Sequence, residues 1–274
     1  MLLSSASLSL LPSSSGSSGS LLGALYGTGA TTGTTNPVVA LKTALATETK
    51  GVAAAAVVPQ TKREIAAFRA AVAAAKTPAE LLANADARKV LLTANGLGSQ
   101  ADYAGLVSKA LLSDTTKTGN LASKLTNTQW LATAKAYDFA NKGLSVLQDT
   151  AAIDSIANGY AEVKWREGLD QSTPGLSSAI DFRSRASKIT SALGVLGDST
   201  LREVVTTALG IPKQIAYQSL EAQQAAINSR LDIGKFKDPS FVEQFTRRYL
   251  IAAAAAANAS STTGKGTGLS SLFA

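Results

Sequence analysis

Between residue 37 and about residue 258, apolar residues recur at helical spacing. Residues 38–58 are rich in Ala and Leu and are interrupted only by Gly51, which predicts a long first helix. Thr61 followed three residues later by Glu64 predicts a capped helix start, and Thr77-Pro78-Ala79-Glu80 predicts another, with the proline where its missing N–H costs nothing. Gly96 and Gly210 stand where helices should end in a left-handed residue. Asp238-Pro239 opens a last helix whose Phe241, Phe245 and Tyr249 fall on one face. No alternating run of β-branched residues is long enough to predict a strand. The expected fold class is all-α.

The apolar pattern repeats. With a shift of 114 residues, positions 68–106 align without gaps against 182–220. Identical pairs include Phe68/Phe182, Arg69/Arg183, Arg88/Arg202, Gly96/Gly210, Gln100/Gln214 and Tyr103/Tyr217. Trp130-Leu131 then pairs with Phe241-Val242 at a shift of 111, behind Asn127 or Asp238 as cap. The expected organisation is two tandem pseudo-repeated helical units of about 100 residues, at 37–147 and 148–258. They lie between a low-complexity, uncharged segment at 1–36 and a tail at 259–274. The shared residues are expected to pack: Val90, Leu91 and Ala94, like Val204, Val205 and Ala208, on one helix face; Phe68/Phe182 and Tyr103/Tyr217 as anchors between helices. Arg88/Arg202 are expected to pair with a carboxylate or to cover apolar surface with their stems.

The ends differ from this pattern. No charged side chain precedes Lys42. The apolar runs at 8–12 and 21–26 are far shorter than the ~20 residues a membrane helix needs, and a secretory signal would require a basic start. No membrane span is expected. Two readings stand for the ends: flexible linkers, or export and assembly segments that order in a complex. Under the second, Leu21, Leu22, Leu25, Tyr26, Leu269, Leu272 and Phe273 are the candidate partner contacts. Gly264-Lys265-Gly266-Thr267-Gly268 resembles a phosphate loop but lacks the first glycine and the preceding strand. Removing residues 1–36 is expected to leave the melting temperature of the helical core unchanged; a large fall would contradict that.

Composition narrows the chemistry. The chain of 274 residues has no Cys and no His, which removes disulfides, thiolate nucleophiles, Cys- or His-ligated metals and a Ser-His-Asp triad. Its net charge of +7 comes from 26 basic and 19 acidic residues that are interleaved, the densest basic cluster being Arg247-Arg248. That is the pattern of solvated helix faces, and no nucleic-acid partner is expected. The carboxylate pairs Asp149/Asp154 and Asp232/Asp238 lie near helix starts and are expected to cap them. No enzyme, cofactor or metal is expected, and no catalytic residue is assigned.

Three stretches carry a family resemblance: Leu91-Leu92-Thr93-Ala94-Asn95-Gly96-Leu97; Leu201-Arg202-Glu203-Val204-Val205-Thr206-Thr207-Ala208-Leu209-Gly210-Ile211-Pro212; and the run from Phe236 to Leu250. Over about residues 37–250 the chain resembles the family called domain of unknown function 1217. The resemblance implies an alphaproteobacterial, flagellum-associated protein and brings no catalytic residues. The expected function is therefore a non-enzymatic structural or accessory protein of the flagellum, exported by its type III route. It would bind flagellar proteins, with self-assembly into a polymer or sheath on the outside of the hook or filament. The alternative is a cytoplasmic export chaperone or regulator. The chain departs from axial flagellar proteins in lacking long terminal heptad segments.

Overall fold

The computed structural model describes residues 36–263, and among them every regular element is helical. The first helices are α1 (Pro37–Val57), α2 (Pro59–Ala74), α3 (Pro78–Ala83), α4 (Ala85–Ala94) and α5 (Ala104–Leu111). They are followed by α6 (Leu121–Lys124), α7 (Gln129–Tyr137), α8 (Phe139–Lys142) and α9 (Thr150–Leu169). The chain continues with α10 (Leu176–Arg185), α11 (Ala192–Gly197), α12 (Ser199–Ala208), α13 (Leu220–Asn228) and α14 (Pro239–Thr263).

Local chemistry sets most boundaries. Asn36 caps α1 by accepting the Val38 N–H. Thr77 caps α3 through the Glu80 N–H at 3.2 Å, and the Glu80 carboxylate accepts the Lys76 N–H. The start of α2 differs from the expectation. It begins at Pro59, two residues before Thr61, because the proline occupies the first turn. Thr61 is buried inside the helix instead of capping it, and Glu64 points to Tyr160 and Lys89.

Elements recur at the spacing of the sequence pairing. Helices α3 and α11 have six residues each and α4 and α12 ten each, and both pairs start 114 residues apart. Their caps correspond: Thr77 and Ser191 accept from Glu80 and Gly194, and Asn84 and Asp198 from Ala87 and Leu201. Gly96 and Gly210 close α4 and α12 at φ 73° and 63°. Leu97 N–H returns to the Leu92 carbonyl and Ile211 N–H to that of Thr206, both at 2.8 Å. Asn127 and Asp238 accept the Gln129 and Ser240 N–H groups, both at 2.9 Å.

Two hydrophobic cores result. The first gathers Phe68, Val90, Leu91, Trp130 and Tyr137 from α2–α7 with Ile156 and Tyr160 of α9. The second gathers Phe182, Val204, Val205, Phe245 and Tyr249 from α10–α14. In it Phe182, Phe236 and Phe245 form an aromatic cluster with ring centroids 5.1–5.6 Å apart, each pair contributing about 0.5–1.5 kcal/mol beyond its buried area. Leu41 and Ala44 of α1 also belong to the second core, as does Trp165 of α9. Helix α9 thus feeds both cores, and α1 lies against α9, α10 and α14. Phe68 and Phe182 are the buried anchors that their pairing suggested. Tyr103 and Tyr217 are not: they are 61% and 91% exposed, because each sits in the irregular segment after its α4 or α12 stop, beyond the packed helix faces.

Candidate functional site

A cleft of about 730 Å³ is lined by residues from α4, α9, α10, α11 and α12 and from the loop after α4. The C-terminal half of α9 supplies Lys164, Arg166 and Glu167 to it. On one side stand α4 and the loop after it, with Arg88 and Asp102. On the other stand α10–α12, with Asp181, Arg185, Asp198 and Arg202.

A chain of ion pairs runs along the second side. Arg166 donates to Asp181 at 3.0 Å, Arg185 bonds both Asp181 and Asp198, and the Asp198 contact is 2.7 Å. Burial works against the Arg185 charge, but Asp198 and Asp181 outweigh it and hold its pKa above the ordinary value. Asp198 is 4% exposed and also caps α12 through the Leu201 N–H, while Asn127 of the first half reaches its other oxygen at 3.4 Å. The Nε–H of Arg166 is buried without a hydrogen-bond acceptor, 3.7 Å from the Glu162 carboxylate. These groups are fixed by one another, which suits a rigid joint more than a proton donor or a nucleophile.

The remaining basic groups of the cleft are mostly committed too. Arg88, 9% exposed, donates to the carbonyls of Ala101 at 2.6 Å, Leu82 at 2.8 Å and Ala83 at 3.2 Å. Its guanidinium is held by these backbone carbonyls and pairs with no carboxylate among the described residues. Lys164 pairs with Glu167, and Lys89 with Glu64. Arg202 is exposed and makes no side-chain hydrogen bond or ion pair among the described residues.

Behind the first wall, Glu64 accepts from Tyr160 Oη at 2.5 Å, Lys89 Nζ at 2.7 Å and Gln60 Nε2 at 2.8 Å. Burial opposes its ionisation, but Lys89, Tyr160 and Gln60 outweigh burial and lower its pKa from 4.5 to about 2. Burial and the neighbouring Glu64 charge push the Tyr160 phenol up. A depressed carboxylate stabilises the fold above its unfolded pKa and loses that contribution as pH falls through the folded one. Stability is therefore expected to drop by about 1–2 kcal/mol between pH 4.5 and pH 2 on account of Glu64. Glu64→Gln should flatten that part of the pH profile in denaturant titrations; an identical profile would show that Glu64 is not the group responsible.

Asp149, Asp232 and Asp238 accept the N–H groups of Ala151, Gly234 and Ser240. Asp154 instead lies within α9 and pairs with Arg69 at 2.6 Å. Burial, with Glu203 and Glu167 nearby, raises the pKa of Asp170, while the Ser177 N–H that it accepts opposes this. Among the described residues no group of three or more acids is placed to hold a metal, and no helix is long and apolar enough to cross a membrane. The partner-contact candidates Leu21, Leu22, Leu25, Tyr26, Leu269, Leu272 and Phe273 lie outside the described residues, as does the glycine-lysine run at 264–268. The ion-pair chain was missed; its only sequence signals were the four-residue spacings of Glu162/Arg166 and Asp181/Arg185.

The profile of one family, described as protein of unknown function (DUF1217), matches residues 94–242, more than half of the chain. This chain belongs to the DUF1217 family. The matched residues run from the end of α4 into α14 and so include most of the cleft and the whole ion-pair chain. The DUF1217 chain is also similar to an X-ray crystal structure, from structural genomics, of a protein from Agrobacterium tumefaciens. The two share 21% sequence identity at a TM-score of 0.63, over 82% of this chain and 96% of that one. That likeness shows a shared fold. No curated protein matches.

Proposed function

We propose that this DUF1217 protein is a non-enzymatic structural or accessory protein of the bacterial flagellum, exported and assembled with protein partners on the outside of the hook or filament. The observation that carries protein binding is the pair Tyr103 and Tyr217. The same aromatic residue stands at corresponding places in the two halves, and both copies face solvent. Tyrosines that support no core are costly to expose and are enriched where proteins meet. The cleft agrees, since its basic side chains other than Arg202 are held by structural partners. Two copies of one ancestral helical unit account for the matching helix bounds and caps. The flagellar assignment rests on the family resemblance.

Deleting the gene in its source bacterium should impair swimming or alter the hook–filament surface, with recovery from a plasmid copy. Normal swimming and normal flagella would count against the proposal. A protein confined to lysate that captures one flagellar substrate would favour the chaperone reading instead.

A further inference from the structure

Each core is closed by a helix that buries one tyrosine completely, Tyr160 of α9 and Tyr249 of α14. The two helices match in packing: α9 lies on α2 and α4, and α14 lies on α10 and α12. Each opens on an aspartate cap, Asp149 or Asp238, and the tyrosine follows at the same distance, with Ile156 and Phe245 in matching places on the buried face. The surroundings of the two phenols differ. Tyr160 donates to Glu64 of α2 at 2.5 Å, and Lys89 of α4 neutralises that carboxylate at 2.7 Å. At the 114-residue spacing Glu64 becomes Ser178 and Lys89 becomes Glu203. In the second half the acid therefore stands on α12 and no cation accompanies it. Tyr249 donates to Glu203 at 3.3 Å, beside Ser178.

A second acid stands against this tyrosine. Asp170 ends α9, and its carboxylate accepts the Ser177 N–H of α10 at 2.8 Å, closing the turn between the two helices. That turn rests on Tyr249: a Cβ on Gly175, which has φ 84°, would lie 2.7 Å from the phenol oxygen. The charge of Asp170 bears on Tyr249, and those of Glu203 and Glu167 bear on Asp170. Neither Asp170 nor Glu203 makes an ion pair among the described residues. The charges on the surrounding helices are placed otherwise. On α9 Lys164 binds Glu167 and Arg166 binds Asp181 of α10, which Arg185 also holds. On α14 Arg247 binds Glu243 and Arg248 is exposed. Arg202 of α12 and Lys42 and Lys50 of α1 are exposed, and Arg183 of α10 and Glu48 of α1 are half-buried.

We propose that the turn at 170–175 is a proton-set latch. Proton uptake by Asp170 removes a like-charge repulsion with Glu203 that the first half avoids with Lys89, and so clamps α9 and α10 onto Tyr249 of α14. Burial, with the Glu203 charge, holds the Asp170 pKa above its ordinary 3.8, against the Ser177 N–H that favours the ionised form. A raised carboxylate stabilises the fold below its unfolded pKa and loses that contribution as pH rises through the folded one. The latch therefore closes as pH falls through the folded pKa of Asp170, whereas the cation-paired Glu64 cluster weakens on acidification. The device belongs to the chain alone and holds whatever partner the protein has.

The test follows the aspartate carboxyl signals of the isotope-labelled full chain against pH by NMR. Asp170, assigned through Asp170→Asn, should titrate above 3.8. Glu203→Gln should lower that midpoint, and Ser178→Glu with Glu203→Lys, which rebuilds the arrangement of the first half, should lower it further. Amide exchange over 171–177, corrected for its intrinsic rate, should slow in the wild type in step with this titration and show no such step in Asp170→Asn. In urea at neutral pH Asp170→Asn should have the higher midpoint, and the gap should shrink as the wild type takes up its proton. If the double variant does not fold, Glu203→Gln and Asp170→Asn decide alone. An Asp170 midpoint at or below 3.8, a midpoint unmoved by Glu203→Gln, exchange that does not follow Asp170, or equal urea midpoints at neutral pH would overturn the proposal.

Discussion

Asp198→Ala should destabilise the protein by about 3–5 kcal/mol, the range for removing one partner of a buried ion pair. The side chain does three things at once. It neutralises Arg185 at 2.7 Å, caps α12 through the Leu201 N–H at 3.0 Å, and accepts from Asn127 across the cleft. Its loss leaves Arg185 buried with only Asp181 for compensation. Asp198→Asn separates these roles. Asparagine occupies the corresponding position of the first half, where Asn84 caps α4 at 2.9 Å, so the cap should survive and only the charge be lost. Adding Arg185→Met to Asp198→Ala should recover part of the loss, because the unpaired cation goes too. Urea titrations of the three variants decide this. Equal stability of Asp198→Ala and wild type would show that the ion-pair chain is not a structural joint.

Gly51→Val should cost about 3 kcal/mol, at the upper end of overpacking penalties. Gly51 lies inside α1, where glycine is normally unfavourable by about 1 kcal/mol relative to alanine. It is buried because Trp165 of α9 lies on it: a Cβ would meet the indole Cδ1 at 2.6 Å and Cε2 at 2.8 Å. Trp165 belongs to the second core, so the added methyl groups must either push α1 off that core or turn the indole out. Gly51→Ala makes the sign informative. Helix propensity alone predicts a gain, whereas the contact predicts a loss, seen as a lower melting temperature together with a shift in tryptophan emission. A stabilised Gly51→Ala would mean that α1 and α9 cross less closely than described.

What was legible in the sequence was local. The caps at Thr77 and Asp238, the left-handed stops at Gly96 and Gly210, and the apolar face of α14 follow from backbone requirements that few residue types satisfy. The capping box at Thr61 and Glu64 misled because Pro59 starts α2 earlier, while Glu64 is drawn to Tyr160, which lies 96 residues further along. Tyr103 and Tyr217 are exposed although their identity at the 114-residue spacing predicts packing, because a surface residue can recur as readily as a core one. The cleft was not legible, since Arg166, Asp181, Arg185 and Asp198 come together only when α9, α10 and α12 are placed side by side. Nor does helical spacing reveal that α1 serves the core of the second half, a choice made by Leu41, Ala44 and the close approach of Gly51 to Trp165.

Cell fractionation is the most direct test of the claim that this protein works by assembling with flagellar partners. Flagella are sheared from cells of the source bacterium and purified, and the protein is quantified in flagella, medium and cytosol with an antibody. The account predicts that it co-purifies with hook and filament and is lost from them when partner binding is blocked by charge substitutions at Tyr103 and Tyr217. A protein found wholly in the cytosol, absent from flagella and medium alike, would contradict it.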